Sequence, residues 1–322
     1  MPTVRKNVTH WIFSGLFAVL VPTVIHAQPY VYMADLEAGM VEVVNTQTKS
    51  VVNYIQLYPY AAPGGMAISS DGTKLYVSSD ITNSLVIVNP SNSAISKSIP
   101  TGTRPSSVAL TPNGAQVWVA DNGSAQVTVV STATQSVVGT IAVGNLPSAV
   151  AFTPDGSLAF VANMWDGTVS IINTSTLKVQ NTFSTGPGAS GACALAVSAN
   201  SELFVANCYG NTVTVHNTTG ALLNTISGFS YPDSLAIVAG LNRLVVSNGA
   251  SSNVTVIDMN SYAVIGNVPV APNGSVIAVA PDGMNVYTAG WSGTVTNLNA
   301  CTNATGFSIP WATGAPVAMV VH

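Results

Sequence analysis

The chain has 322 residues, of which 48% are hydrophobic and only 6% charged, with a net charge of −4. Non-specific binding to nucleic acid depends on clustered Lys and Arg that release phosphate counterions, and eight basic residues against twelve acidic ones argue against it. The length is ample for one large core, and no apolar run after residue 27 approaches the roughly 18 to 20 residues of a membrane span.

Residues 1–27 combine Arg5 and Lys6, an apolar run from Trp11 to Ile25 interrupted by Pro22, and the small residue Ala27. This is the layout of a secretory signal peptide cut after Ala27, which places the mature chain, residues 28–322, in a secreted or periplasmic setting. The first cysteine is Cys193, so the cleavage region offers no thiol for a lipid anchor.

From Tyr30 onward the chain repeats itself. The unit between Val117 and Leu158 holds four short runs, VWVAD, QVTVVS, SVVGTIAV and SAVAFT, each rich in β-branched residues and bounded by Gly, Pro, Asn or Asp. Runs of this kind read as strands. Aligning the position of Trp118 finds Tyr32, Tyr76, Phe160, Phe204, Val245 and Tyr287, spaced 41 to 44 residues apart. Seven copies of about 40 to 45 residues with four strands each predict an all-β fold, a seven-bladed β-propeller of four antiparallel strands per blade. The first copy lacks an inner strand and the last run, VAMVV from Val317, stands alone. Pairing Val317–Val321 with Val31–Asp35 would complete the first blade with the C-terminal strand and bury both open edges.

The succession of runs such as LYVSSD, TVSIINTSTLKV and VAFTPDG resembles the YVTN-repeat β-propellers over the whole chain after the signal. That resemblance implies seven blades and an extracytoplasmic setting. It carries no catalytic motif to transfer.

Three cysteines in an exported chain suggest one disulfide and one leftover thiol. A turn with an even number of residues near Ala199–Glu202 would set Ser198 opposite Leu203 and Cys193 opposite Cys208, which predicts a Cys193–Cys208 bridge. The rival is a pair of buried free thiols, and Cys301 is left unpaired or linked to another chain.

The two ends of such a ring differ in composition. The hairpin end carries PDG-type turns at Asp71, Asn113, Asp155 and Asp282, together with Lys49, Lys74, Lys178 and Arg243. At the loop end, the second strands are read as closing on Asp35, Asp80, Asp121, Asn163, Asn207, Asn248 and Gly290, with Glu37, Asp166 and Asp233 nearby and Arg104 as the base. Two explanations compete. Each Asp or Asn caps its own loop by accepting backbone N–H groups two residues on, or Asp35, Asp80 and Asp121 supply oxygens for a metal cation, with Arg104 able to neutralise Asp80 or Asp121. Trp165, Trp291, Trp311, Tyr58, Tyr60, Tyr209 and Tyr231 fall at the same end, either as a binding surface or as lids over the blade tops.

The mature chain has His216 and His322 without a second ligand at metal spacing, and no GxSxG turn. Inner strands reading Ser, Ala, Val and Gly offer the central channel no acid or base, and no cofactor is implied. The expected function is therefore a binding or scaffold module, a monomer, whose aromatic acidic face holds a carbohydrate, peptide, cation, small molecule or partner protein. Its candidate residues are Arg104, Asp121, Trp165, Tyr209, Tyr231, Asp233, Trp291 and Trp311. A lactonase-like hydrolase is the alternative if Asp233, Asp121 and Arg104 converge, and a structural cell-surface role is the other.

Overall fold

The computed structural model describes residues 30–60, 62–186, 191–271, 274–310 and 315–322. Residues 1–27, expected to form the signal peptide, and Trp311 lie outside the described residues. Among the described residues twenty-eight strands form seven antiparallel sheets of four, each running from an inner to an outer strand. In blade two these are Pro63–Ile68, Leu75–Ser79, Ser84–Asn89 and Ala94–Pro100. Second and third strands are buried on both faces because neighbouring blades pack against each side, which is why they read as unbroken Val, Ile and Leu. The outermost strand alternates, with one face on the next blade and one in water.

The repeated large residue of each second strand lies in this inter-blade packing. Tyr32, Tyr76, Trp118, Phe160, Phe204, Val245 and Tyr287 are all buried. Trp118 stands edge-on to Phe152 at 5.3 Å, and its Nε1–H donates to Gln116 Oε1 at 3.0 Å. Burying a side chain of this size stabilises the fold by roughly 1.5 to 3 kcal/mol, so this column holds much of the ring together.

Blade one closes as expected. The strand Pro316–Val321 lies antiparallel to Tyr30–Asp35, with Val31 opposite Val321 and Met33 opposite Met319. Tyr30 N–H donates to His322 O at 2.8 Å, and His322 N–H returns a bond to Tyr30 O at 3.0 Å.

Each inner strand is irregular at its start. The pairing slips by one residue at Ser106, Ser148, Cys193, Asp233, Ser275 and Val317, and by one across Gly64 and Gly65, which together face Ser78. Just before these bulges sit Ala62, Arg104, Leu146 and Tyr231 with φ between 52° and 57°, and Gly191 with φ 103°. Their carbonyls accept N–H bonds from Asp80, Asn122, Met164, Gly249 and Cys208 at 2.8 to 3.0 Å, tying the inter-blade loop to the end of the second strand.

The bulge also corrects the route to the disulfide. The bridge joins Cys193 to Cys208, with Cα atoms 5.9 Å apart. The strands, however, pair Val197 with Leu203 and Ala194 with Ala206, one residue out from the expected register. Cys193 is the unpaired residue of the bulge, and the bridge runs diagonally across the Ala192–Asn207 pair to Cys208 instead of joining directly opposed residues. Cys301 is exposed and free.

Candidate functional site

The polar ring at the second-strand ends is built into the fold. Asp35, Asp121, Asn163, Asn207 and Asn248 are buried, and the pairing shows that the blade-two member is Ser79 rather than Asp80. Asp80 sits one residue further out, where Arg104 Nε approaches its carboxylate at 3.7 Å. Asp35 follows the expected local cap, accepting from the N–H groups of Glu37 and Ala38 at 3.0 and 2.9 Å, and Ser79 Oγ accepts from Thr82 N–H at 3.4 Å. The asparagines instead bridge elements. Asn163 accepts from Gly144 N–H at 3.0 Å and donates to Ser170 Oγ at 3.0 Å, and Asn248 accepts from Ser230 N–H and donates to Thr255 Oγ1 in the same way.

Asp121 follows that bridging pattern, which removes it from the surface. Thr128 Oγ1–H and Gln126 Nε2–H donate to its Oδ2 at 2.6 and 3.2 Å, and burial raises its pKa. It therefore faces blade three's own third strand and does not converge with Arg104 and Asp233. Nor do Asp35, Asp80 and Asp121 gather, and among the described residues no three His, Cys, Asp or Glu side chains come together as a metal set.

A different group does assemble at the channel mouth. Tyr231, Asp233, Gly249, Val276, Trp291, Pro316 and Val317 line a cavity of about 410 Å³. Asp233 is the bulge residue of the strand Pro232–Val238, so its side chain reaches both this cavity and the central channel of about 340 Å³. The channel thus carries a carboxylate, contrary to the composition expected of its inner strands. Ser247 Oγ–H donates to Asp233 Oδ1, and a Cβ at Gly249 would overlap Oδ2 and press on Tyr231 Cδ1. Partial burial raises the Asp233 pKa to about 6, against the hydrogen bond from Ser247.

The aromatic residues divide between the two readings. Tyr60 packs against the core of blades one and two. Trp165, Tyr209 and Trp291 are 72%, 56% and 58% exposed. Tyr209 meets Tyr231 edge-on at 5.6 Å beside the cavity. Trp165 borders a separate cavity of about 490 Å³ with Asn122, Asn145 and Leu146, and Arg104 borders a third of about 230 Å³ with Asp80. Leu36 and Ile81 are exposed in loops between second and third strands, on the same face as Trp165, Tyr209 and Trp291.

Residues 66–187 match the Choice-of-anchor I domain. The fold is shared with a functionally unknown protein from Desulfotomaculum acetoxidans DSM 771, at TM-score 0.78 and 15% identity over 91% of this chain and 98% of that one. Hydrazine synthase of Kuenenia stuttgartiensis matches at TM-score 0.69 and 19% identity, covering 80% of this chain and 88% of that one. A proposed 6-phosphogluconolactonase from Bacteroides uniformis ATCC 8492 matches at 0.77 and 15%, covering 92% and 100%. No curated protein matches the sequence. At these identities the structures share architecture, and the site must be argued from this chain's own residues.

Gly249, Ser247 and the bulge at Asp233 had no place in the sequence reading. A detectable signal existed in the triplets Arg104-Pro105-Ser106, Leu146-Pro147-Ser148 and Tyr231-Pro232-Asp233, where the sixth blade replaces a hydroxyl with a carboxylate.

Proposed function

We propose that the chain is an exported binding module of the YVTN-like kind that engages its ligand through the loop end of the ring. The observation that carries this is the cavity at the channel mouth, where Tyr231, Trp291 and Asp233 converge beside exposed Tyr209. Concave, mainly apolar surfaces with one well-placed polar group are the usual form of a ligand site. Residues 1–27 act as the signal peptide, and the Cys193–Cys208 bridge suits an oxidising compartment outside the cytoplasm. The partial match to an anchor-type domain fits a protein that works at a cell surface. Among the described residues no helix is long and apolar enough to cross a membrane. The module acts as a single copy.

Tryptophan fluorescence against glycans, peptides, divalent ions and small organic ions tests this reading. Trp291→Ala should remove the response to the true ligand while leaving the melting curve in place. Absence of any response across the panel would favour a purely structural role. The hydrolase alternative keeps one supporting observation, the carboxylate of Asp233 held at about 6 inside a cavity. It lacks the convergence it requires, because Asp121 is turned inward and Arg104 is paired with Asp80 in another pocket. A lactone-hydrolysis rate that rises and falls around pH 6 and vanishes in Asp233→Asn would revive it.

A further inference from the structure

We infer that the cavity at the channel mouth is a site for an organic cation, with an alkylammonium head seated on Asp233 between Tyr231 and Trp291. This rests on the binding-module reading and names its ligand class.

The first ground is an uncompensated carboxylate. Among the described residues no Lys, Arg or His forms an ion pair with Asp233, whereas Asp80 on the same face has Arg104. A half-buried carboxylate without a positive partner is costly, and a bound cation relieves that cost. Its presence also has no structural explanation within the ring. The equivalent residues Ser106 and Ser148 use their hydroxyls to bond the next blade, donating to Pro147 O at 3.0 Å and Ala192 O at 2.8 Å. An ionised Asp233 has no proton to donate and makes no such bond. Instead Ser247 fixes one of its oxygens, and the missing side chain of Gly249 leaves room for the other.

The second ground is the chemistry of the walls. Tyr231 and Trp291 supply electron-rich rings, and Val276, Pro316 and Val317 supply aliphatic surface. A metal ion such as Ca²⁺ requires about six to eight oxygens and finds a single carboxylate. A sugar needs several hydrogen-bonding groups around its rim, and these walls offer few. A weakly hydrated alkylammonium ion matches all three features, since aromatic rings attract it through their quadrupoles and apolar walls cover its methyl groups.

The test uses the mature chain with choline and its uncharged carbon isostere dimethylbutanol, read by Trp fluorescence and calorimetry above pH 7. Choline should bind, the isostere should bind at least about tenfold more weakly, and Asp233→Asn should erase that difference. Trp291→Ala should weaken choline by about tenfold, with thermal melts confirming that both variants fold. Choline affinity should also fall as pH drops below about 6, where Asp233 takes up a proton. A lysine-bearing peptide run alongside distinguishes a side-chain amine from a free small cation as the source of the head group. Equal binding of choline and isostere, or displacement of choline by Ca²⁺, overturns the cation assignment while the binding-module reading stands. If choline gives no response but a glycan or an uncharged peptide does, the cation assignment again falls alone. Silence from choline, lysine peptide and every glycan sinks both.

Discussion

At Asp71 and Asp155 of the hairpin end and at Asp233 of the loop end, the ring uses the same residue, aspartate, to opposite effect. At the hairpin end Asp71 accepts bonds from the Ser69 and Thr73 hydroxyls and the Thr73 N–H, and these hold its pKa down at about 2. Asp155 is lowered in the same manner, first by the Thr153 hydroxyl and then by Ser157. Both lie in exposed turns, and their charge is stabilised where it stands. At the loop end burial outweighs the Ser247 hydroxyl donor and raises the Asp233 pKa to about 6, and among the described residues no base pairs with it. A turn aspartate completes its own loop, whereas Asp233 leaves a demand that the fold does not meet. That contrast is what singles out Asp233 as the carboxylate on which the proposed site rests.

The comparison presupposes a closed ring, and removing Pro316–His322 would break it most severely. The deletion uncovers Val31 and Met33, now fully buried, at a cost of roughly 3 to 6 kcal/mol between them. Loss of cooperative melting is expected in a calorimetric scan, and an unchanged melt would refute the closure. Replacing Cys193 and Cys208 together by Ser should cost about 3 kcal/mol for a bridge spanning 15 residues. Denaturant titration with and without reductant measures it, and the Tyr209 contact beside the bridge should loosen in parallel.

Asp233→Asn sharpens the contrast between the ends. Its folded pKa lies above the ordinary 3.8, so the folded state holds the proton more tightly and stability declines as pH rises from about 4 to about 6. Asparagine should therefore stabilise the protein above pH 7, by about 1 to 3 kcal/mol after allowing for solvent at the open mouth, and give no gain at pH 4. Asp71→Asn should show the reverse sign and the smallest effect. Its folded pKa is lowered, so its contribution is present above pH 4 and disappears as pH falls towards 2. A slight loss of melting temperature at neutral pH that vanishes in acid is the expected result.

The sequence by itself determined the repeat, the strand count, the blade number and the closure, because each depends on local properties that recur every 41 to 44 residues. Period-2 patterning, turn residues and a repeated large side chain specify a sheet wherever they occur, and seven copies leave little freedom in how they stack. The pairing of Cys193 with Cys208 was legible too, although the bulge at Cys193 and the diagonal route of the bridge were not. Only the tertiary structure decided which carboxylates find partners and which stand at a cavity. Asp121 and Asp233 look alike as letters near loops, yet two side-chain donors within its own blade take up Asp121, and a single-residue slip carries Asp233 into the mouth of the channel. The same holds for Asp80, which a one-residue shift moves off the buried ring to meet Arg104. Burial and partnership depend on the meeting of blades distant in sequence, and no local pattern records that meeting.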